Sequence, residues 1–340
     1  MLTKMNFLNK IKYDFITIGG ATEDLFIYTN EGIVINNKKD LLRQKLLCFE
    51  YGAKVLVNQS ENSFGGGAVN AAVALAKLGF KTATMVAVGD DSRSNEVVKN
   101  IKFNNVNTAL IQKIKGQLTG YSAIIVSGDK EHVAFPVRGA NHYLNINKKN
   151  SKEFSKTKWI YLTSLSGEWQ NSLDIIFSQK NSAKIAWNPG HVQLSSGIKN
   201  IGKYLEQTSV LIVNLDEARE LILSGNKKKI DPAILEKTND VAIKLLDYGP
   251  EIVVVTDSIN GAVAVDKNGA YKFKPKKILN ALNSIGVGDA FGSTFIAGLV
   301  LFNDINKALK LAGANAARVV MSHGAQPGLM TKKQINDIKL

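Results

Sequence analysis

The sequence lacks the features that mark several classes of protein. Its 340 residues include a single cysteine, Cys48, which rules out an intramolecular disulfide and any zinc site built from several cysteines. No apolar run reaches about 18 residues, the length that a membrane-spanning helix needs. Residues 1–15 are basic but contain no apolar segment of the kind found in secretory signals. These absences favour a cytoplasmic protein that contacts no membrane.

The charged residues do not point to nucleic acid, although the formal net charge is +14. The lysines occur in short groups, such as 227–229 and 274–277, beside polar or turn residues. No arginine-rich helix and no stripe of alternating aromatic and basic residues accompanies them. We interpret the charge as a solvated basic surface, with attraction of anionic nucleotides as the alternative, and expect no nucleic-acid partner.

What the sequence does contain is the pattern of an α/β protein. With 45% hydrophobic and 21% charged residues, the chain suits one large globular domain or two smaller ones. Short apolar runs alternate with longer segments of helical periodicity, which predicts a mostly parallel sheet covered by helices. The predicted strands are 15–18, 84–88, 159–162, 184–187, 210–213 and 252–255, and the predicted helices are 68–78, 232–246, 289–301 and 305–321.

Two stretches interrupt this alternation. Residues 25–62 and 120–137 show strand-like periodicity with no helix between the strands. In the second stretch, two runs of alternating apolar residues fit a hairpin that turns at Gly128-Asp129. We expect the two insertions to combine into a small sheet that covers the site as a lid, because lids exclude water from transferring groups.

The most informative segment is Gly286-Val287-Gly288-Asp289, which opens the predicted helix 289–301. The first turn of a helix has free backbone N–H groups and a partial positive charge. Two glycines there let a phosphate approach the backbone, and the aspartate beside it is placed to orient or deprotonate an incoming hydroxyl. Taken alone, these four residues favour a simpler interpretation, a tight turn with an acidic helix cap.

A second glycine-rich segment, Gly65-Gly66-Gly67, leads into the first long helix. Consecutive glycines expose backbone to a ligand or adopt angles that other residues avoid. Asn70, the lone polar side chain at the apolar start of this helix, suits a sugar hydroxyl or a cap of its own helix. Asp24 follows the first strand, at whose carboxyl end ligands bind in open α/β sheets, and a carboxylate accepts hydrogen bonds from two adjacent hydroxyls.

Residues 283–289 resemble the second signature of the ribokinase-like (PfkB) kinase family, D-T-x-G-A-G-D. The resemblance implies that Asp289 is the catalytic base and that Gly286, Val287 and Gly288 form an anion hole. Asn283-Ser284 replace the leading Asp-Thr, in a region where loop carbonyls bind an activating monovalent cation in several relatives. The sequence therefore leaves a requirement for such a cation undecided.

The other segments are similar to further parts of the same family pattern. Residues 65–70 match the first signature, G-G-x-x-x-N, which implies substrate binding by Gly65, Gly66, Gly67 and Asn70. Asp24 has the place of the aspartate that holds the substrate, and Asn141 ends a G-A-N segment that also occurs in the family.

The nucleotide side shows the same resemblance. Asn214 and Glu217 match N-x-x-E after a predicted strand, which implies ATP binding at Asn214 and Mg²⁺ held through water at Glu217. An ordinary acid at a helix start is the alternative interpretation of Glu217, as it is of Asp216. Thr256 and Gly261 match T-x-G-x-x-G, with Ser258 at its first glycine, and Asn315 is expected near the adenine.

The resemblance extends from about residue 13 to 329 and implies a division of the chain. The expected fold is a ribokinase-like three-layer α/β/α core with a mostly parallel central sheet and a small β-sheet lid. The core comprises residues 13–24, 63–119 and 138–340, the lid 25–62 and 120–137, and an N-terminal extension 1–12.

The expected activity is transfer of the γ-phosphoryl group of ATP to a hydroxyl of a sugar such as ribose or fructose, or of a related sugar acid. A nucleoside is the alternative acceptor, because Phe49, Tyr51 or Phe135 is able to stack on a base. Arg138 suits an acceptor with a carboxylate or phosphate, and His323 is given no role in the chemistry. A non-catalytic sugar sensor on the same fold and a homodimer formed through the lid stay open.

Overall fold

The structure, a computed structural model, describes residues 11–37, 45–128, 132–225, 232–276, 282 and 284–338. Residues 1–10 of the expected extension, Asp129 of the expected hairpin turn, lysines 227–229 and Asn283 lie outside these residues. In chain order the strands are β1 (Tyr13–Gly19), β2 (Thr22–Tyr28), β3 (Ile33–Asn36), β4 (Lys45–Cys48), β5 (Gln59–Gly65), β6 (Thr82–Val88), β7 (Gln112–Lys113), β8 (Gly120–Val126), β9 (His132–Val137), β10 (Thr157–Leu162), β11 (Lys184–Trp187), β12 (Val210–Asn214), β13 (Ile252–Thr256), β14 (Ala262–Asp266) and β15 (Gly269–Phe273). The α-helices are α1 (Gly67–Lys77), α2 (Ser92–Phe103), α3 (Trp169–Gln179), α4 (His191–Ser196), α5 (Ile198–Leu205), α6 (Leu215–Leu223), α7 (Thr238–Leu246), α8 (Val287–Phe302) and α9 (Ile305–Val320). Short 3₁₀ helices span Gly139–Tyr143, Asn150–Lys156, Pro232–Leu235, Ser258–Asn260 and Lys332–Asp337.

The larger sheet has nine strands within the described part of the chain, in the order β15-β14-β13-β12-β11-β10-β1-β6-β7. Neighbours from β13 to β7 are parallel, and β14 and β15 extend the sheet antiparallel. Parallel strands require crossover connections, which here contain the helices. The carboxyl ends of the parallel strands consequently lie along one edge, where open α/β sheets bind their ligands.

Helices cover both faces of this sheet. On one face the buried core includes Leu173 of α3, Leu221 of α6 and Val241 of α7. On the other face it includes Leu75 of α1 and Phe295 of α8. Strands buried on both faces read as continuous apolar runs, and all seven residues of β6 are buried. The expected three-layer α/β/α core is confirmed.

The predicted helix 232–246 is wrong in its first half. Pro232–Leu235 forms a 3₁₀ turn, Lys237 is extended with φ −112° and ψ 124°, and α7 begins only at Thr238. The Leu235 carbonyl accepts a hydrogen bond of 3.0 Å from Nε of Arg219 instead of continuing a helical ladder. This tertiary contact, 16 residues apart in sequence, ends the first turn.

The longest helices pack closely against each other. Helix α8 buries Phe291 and Phe295, which lie one helical turn apart, in the core. A Cβ at Gly298 would lie 2.6 Å from Cα of Ala308 in α9, so the two backbones are in direct contact. Both helices have 16 residues, and no helix in the described part of the chain is long and apolar enough to cross a membrane.

The two insertions combine into a small sheet, as the sequence predicts. The first insertion supplies β2 and β5, the second supplies β8 and β9, and the order is β5-β2-β8-β9. The predicted hairpin is confirmed by the opposed pairs Tyr121–Val137, Ala123–Phe135 and Ile125–Val133. Strands β3 and β4 pair separately with each other.

Asp24 lies inside this small sheet and not at the end of β1, which corrects its predicted place. Pairing of β2 with both of its neighbours begins at Thr22, only three residues after β1 ends. The side of the sheet that carries Phe26, two residues beyond Asp24, turns toward the core and packs with Ile285, just before α8. The opposite face is exposed and apolar, and it includes Leu25, Val133, Phe135 and Val137.

Candidate active site

Helix α8 begins at a tight turn that has open space beside it. Gly286 precedes the helix with φ 72°, in the left-handed region that favours glycine. A Cβ at Gly286 would lie 2.2 Å from Cβ of Ala325, so no side chain fits there. At Gly288, by contrast, no heavy atom of the described residues lies within 4 Å of where a Cβ would be. An anion is therefore able to approach the free N–H groups of this first turn.

Asp289, the third residue of α8, is held from α1. Nδ2 of Asn70 donates a hydrogen bond of 2.8 Å to Asp289 Oδ2. The other carboxylate oxygen faces Gly67, where a Cβ would lie 3.2 Å from Asp289 Oδ1 and 3.2 Å from Cβ of Thr163. One oxygen of Asp289 is thus fixed by an amide, and the other borders the glycine segment.

The glycine segment 65–67 connects Asp24 to Asp289. A Cβ at Gly65 would lie 2.0 Å from Asp24 Oδ2, which places that carboxylate directly against the segment. Gly66 has φ 88°, and a Cβ there would lie 2.4 Å from the carbonyl oxygen of Gly20. Only glycines permit this close approach of two backbones. The structure therefore brings the two predicted signatures together.

Asp24 is 7% exposed and has spare capacity to accept hydrogen bonds. The hydroxyls of Thr22 and Ser122 hydrogen-bond to its carboxylate. Its Oδ1 is nevertheless buried with no hydrogen-bond partner among the described residues. A buried carboxylate oxygen without a donor is energetically costly, so an incoming hydroxyl would satisfy a group that the protein leaves open.

Three carboxyl groups around this turn have pKa values above their ordinary range. Burial raises the pKa of Asp289, and the charge of Asp24 raises it further, against the lowering effect of the Asn70 hydrogen bond. Burial is also the largest cause of the raised pKa of Asp24 and of Glu217, and the charge of Asp289 adds to the latter. Charges affect a pKa over short distances, so Asp289 lies near both Asp24 and Glu217.

Asn214 and Glu217 form a reciprocal cap at the start of α6. The Glu217 N–H donates to Asn214 Oδ1 at 2.8 Å, and the Asn214 N–H donates to Glu217 Oε2 at 2.9 Å. The interpretation of Glu217 as an acid at a helix start is confirmed. The cap uses Oε2 of Glu217 and leaves Oε1 for another ligand.

The donor set at this edge fits a magnesium ion that is bound mainly by water and phosphate. Among the residues that the structure describes, no group of three or more His, Cys, Asp or Glu side chains could hold a metal ion. Magnesium commonly keeps several waters and binds through one or two carboxylates together with substrate phosphates. Glu217 Oε1, which the helix cap leaves unused, suits a water-mediated contact of that kind.

Thr256 and Gly261 lie close to Asn214. Thr256 is the register partner of Asn214 at the ends of β13 and β12, so their side chains share the edge of the sheet. Ser258, at the first glycine of the T-x-G-x-x-G pattern, has φ 46°, in the left-handed region. Gly261 has φ 104°, and a Cβ there would lie 2.0 Å from the carbonyl oxygen of Phe273. The glycine therefore permits the turn from β13 into β14.

Two asparagines that we expected at ligands are used within the protein. Asn141 accepts from the Ala21 N–H and donates to the Ala21 carbonyl, both at 2.9 Å, and so fixes the loop after β1 beside the site. Asn315 is fully buried, donates to Thr294 Oγ1 at 2.6 Å and accepts from the Met330 N–H at 2.7 Å. The hydrogen bonds of the Asn315 amide thus hold α9 against α8, and Asn315 is not assigned to the nucleotide site.

A cavity of about 90 Å³ opens beside the glycine segment. It is bordered by the ends of β1, β9 and β10 and by Gly66 and Gly67. Of the described residues that line it, Arg138 alone is charged. The ion pairs that arginines form in the described part of the chain involve Arg93 and Arg219, so the guanidinium of Arg138 has no carboxylate partner there.

The sequence interpretation missed several polar residues at this edge. Thr163 and Ser164 follow β10 and line the cavity. Asn188 follows β11, where its Nδ2 donates to the Ile212 carbonyl at 2.9 Å. A signal for Asn188 was available, because it stands directly after a buried strand in the same way as Asn214. Gln326 lies in the run Gly324-Ala-Gln-Pro, which is close to a C-terminal pattern of the family that the sequence resembles, but its contacts, far away in sequence, could not be read from that run.

The sequence is similar to a family of known proteins. The sequence model of the pfkB family of carbohydrate kinases matches residues 35–332. Ribokinase of Mus musculus is 27% identical over 278 residues, which cover 80% of this chain and 83% of that protein. 5-Dehydro-2-deoxygluconokinase of Clostridium perfringens is 25% identical over 287 residues, with coverages of 80% and 82%.

Solved structures show the same fold. The ribokinase of Arabidopsis thaliana complexed with ribose and ATP has a TM-score of 0.75 at 15% identity, covering 96% of this chain and 98% of that one. The nucleoside kinase of Burkholderia thailandensis in complex with inosine has a TM-score of 0.75 at 16% identity, with both coverages 95%.

The fold and the acidic site with its glycine turn define a kinase that phosphorylates a small molecule. This chain belongs to the pfkB family of carbohydrate kinases, whose sequence model spans most of its length. It is a phosphotransferase that acts on an alcohol group, and its ribokinase-like fold is confirmed. ATP is the phosphoryl donor typical of this family, usually with Mg²⁺, whereas the relatives act on different acceptors.

Proposed function

We propose that this chain transfers the γ-phosphoryl group of ATP to a hydroxyl of a sugar or sugar acid, with Asp289 as the base. The observation that carries the proposal is the convergence of Asp289, its glycine turn and Asp24 on the glycine segment 65–67. An acceptor held by Asp24 and Asn70 lies next to both the base and the anion-binding turn. Transfer in line requires this proximity of the two reactants.

In the proposed mechanism Asp289 orients the acceptor hydroxyl and takes its proton late in the transfer. An aspartate is a weak base toward an alcohol, so early deprotonation is unfavourable. The hydroxyl oxygen bonds to the γ-phosphorus as the bond to the β–γ bridging oxygen breaks and ADP leaves. The backbone N–H groups of Gly286, Val287 and Gly288 stabilise charge on the transferring oxygens.

On the nucleotide side we assign Asn214, Thr256 and Gly261 to ATP. Glu217 would hold Mg²⁺ through water, and the ion, when bound, neutralises charge on the phosphates. The shared edge of β12 and β13 and the available Oε1 of Glu217 support this assignment.

A sugar fits the site better than a nucleoside does. Phe135, an aromatic candidate for stacking on a base, lies on the exposed face of the small sheet, opposite to Asp24. Tyr51 is fully exposed, and Phe49 packs near Gly32. The groups that do converge, Asp24 and Asn70, suit the hydroxyls of a polyol.

We infer that the small sheet acts as a lid over the acceptor. The division into a core of 13–24, 63–119 and 138–340 and a lid of 25–62 and 120–137 is retained, except that the first boundary moves to the start of β2. The inner face of the sheet contributes Asp24. Tyr28 joins lid and core, since its hydroxyl donates to Glu61 Oε1 at 2.7 Å and lies 3.2 Å from Nδ1 of His323.

The test of the proposed function is ADP release with Mg-ATP across ribose, deoxyribose, fructose, neutral hexoses, six-carbon sugar acids, sugar phosphates and adenosine. We expect turnover of at least one sugar or sugar acid and none of adenosine. Preference for adenosine would replace the proposal by a nucleoside kinase. Binding of a sugar with no turnover of any acceptor would contradict the assignment of the catalytic groups.

Arg138 provides a prediction about the acceptor. Its guanidinium, the one charged group among the described residues that line the cavity, favours a sugar acid over a neutral sugar, although its exposure limits the gain to about 1 kcal/mol. Replacing Arg138 by Gln should raise KM for the sugar acid by about fivefold and leave KM for a neutral sugar unchanged. An equal rise for both acceptors, or none, would remove Arg138 from acceptor recognition.

We also propose that two copies of the chain associate through the outer faces of their lids. The exposed apolar residues of this face are unusual for a surface in contact with water only. Phe135→Lys should convert a dimer to a monomer in size-exclusion chromatography with light scattering. Phe103→Lys is the matched control, because Phe103 is 84% exposed on α2, outside this sheet. A wild-type monomer at micromolar concentration would contradict the proposal.

A further inference from the structure

The loop 324–328, which follows α9, contacts three elements of the site at once. A Cβ at Gly324 would lie 2.5 Å from Ser63 Oγ in β5 of the small sheet. Ala325 packs against the Gly286 turn, as described above. Gln326, the next residue, points its side chain toward Asn70 in α1. No part of the proposed mechanism so far uses this loop.

The side-chain amide of Gln326 makes three hydrogen bonds. Its Nε2 donates to the Phe64 carbonyl at 3.1 Å and to Asn70 Oδ1 at 3.0 Å. Its Oε1 accepts from Nδ2 of Asn100 in α2 at 2.9 Å. Gln326 is 7% exposed, so these bonds are not exchanged freely with water.

Both ends of this chain of amides are fixed by groups that only accept hydrogen bonds. The Phe64 carbonyl requires a donor, which sets Nε2 of Gln326 on that side. The same Nε2 then requires an acceptor from Asn70, which directs Oδ1 toward Gln326 and Nδ2 toward Asp289. The Asp289 carboxylate accepts that donor at 2.8 Å. The directions of the Gln326 and Asn70 amides are therefore determined.

We propose that Gln326 is a positioning residue for the phosphoryl transfer: it holds the Asn70 amide so that its N–H is directed at Asp289. The inference rests on the proposed function, because it assigns a role around the same base. It gives Asn70 a second role beyond contact with the acceptor. It also explains why a residue outside both signatures lies at the centre of the site.

The Asn70 hydrogen bond acts against several charged or titratable groups around Asp289. Asp24 from β2 and Glu217 from α6 are acidic, and Tyr161 from β10 is fully buried nearby. Loss of the donor from Asn70 removes a hydrogen bond that favours the ionised form of Asp289, so the pKa of Asp289 rises. Since a base must be deprotonated, activity is lost as the pH falls through the pKa of Asp289, and a higher pKa moves this loss to higher pH.

The test is Gln326→Glu in the full chain, with kcat measured against pH on an acceptor that the ADP-release screen identifies. The ionised carboxylate of this variant has no donor, so the Asn70 amide turns to donate to it and presents its Oδ1 to Asp289. We expect kcat to fall by about tenfold and the acid limb of the kcat profile to move to higher pH. KM for ATP should not change, because the nucleotide side lies elsewhere.

Lys77→Met is the matched control. Nζ of Lys77 donates to the backbone carbonyl of Gln326 at 3.0 Å, so this variant disturbs the same loop without touching the side-chain amides of Gln326 and Asn70. Its acid limb should stay in place. If Gln326→Glu does not fold, Gln326→Met, which keeps the shape but has no amide, is expected to shift the acid limb in the same direction.

Two results would overturn the proposal. One is a folded Gln326 variant with the wild-type pH profile; the other is a lower kcat with an unmoved acid limb, which indicates a structural role alone. If the proposed function itself is wrong, the wild-type protein will show no turnover that depends on Asp289. If wild-type turnover depends on Asp289 but the acid limb of the kcat profile does not move in the Gln326 variants, only the role of Gln326 is rejected.

Discussion

Asp289→Asn should reduce kcat by roughly a hundredfold or more while leaving the fold intact, because general-base catalysis contributes about 10²–10⁴. An asparagine keeps the shape and still accepts the Asn70 hydrogen bond through its amide oxygen. It cannot take a proton from the acceptor. The measurement is ADP release under saturating ATP and acceptor, with the thermal midpoint of each variant recorded beside it.

The matched control is Asp216→Asn, in the first turn of α6. Its side chain is 92% exposed, and it likewise belongs to the first turn of a helix at the carboxyl edge of the sheet. Its loss should change kcat by less than about twofold, since an exposed ion pair with Arg219 contributes little. Turnover of Asp289→Asn within a few-fold of wild type would show that another group serves as the base.

Gly286→Ala should damage both stability and catalysis. At φ 72° an alanine is strained by roughly 1–3 kcal/mol, and its Cβ would lie 2.2 Å from Cβ of Ala325. Relieving that overlap moves the turn or the loop 324–328, at a further cost of roughly 1–3 kcal/mol. A displacement of about 1 Å at the base can lower kcat by roughly a hundredfold. Chemical denaturation and ADP release measure the two effects.

Gly116→Ala is the matched control, because it introduces the backbone strain of a positive φ without the steric overlap of the new Cβ. Gly116 has φ 74°, nearly that of Gly286, but no heavy atom of the described residues lies within 4 Å of its Cβ position. We expect a loss of only about 1 kcal/mol and an unchanged kcat. If the two variants are equally stable and equally active, the close packing of the α8 turn on Ala325 has no functional consequence.

Most of the fold could be predicted because burial on both faces of a parallel sheet leaves continuous apolar runs in the sequence. Strand β6 is an example, with every residue buried. The hairpin of β8 and β9 followed from simple alternation, and the antiparallel pairing of its two strands is confirmed. The segment 232–246 could not be predicted correctly, because Arg219 of another helix donates a hydrogen bond to the Leu235 carbonyl.

The site residues divide in the same way. Asp289 and the glycines before it can be recognised locally, since a turn before a helix needs those residue types in that order. The strand assignment of Asp24 failed because β2 begins only three residues after β1 ends, so a residue that seems to follow the first strand already lies in the second. Asn315 has a polar side chain suited to a ligand, but its amide is hydrogen-bonded to Thr294 and Met330 within the protein.

The sequence by itself determined the main parallel strands, one hairpin, four of the helices, the position of both glycine turns and the candidate for the base. These features depend on periodicity and backbone preference, which act over a few residues. Only the tertiary structure decided that Asn70 contacts Asp289, 219 residues away, and that Gln326 contacts Asn70 from a distance of 256 residues. Contacts of that range arise from packing helices on a common sheet, and no local pattern specifies which side chains will then meet.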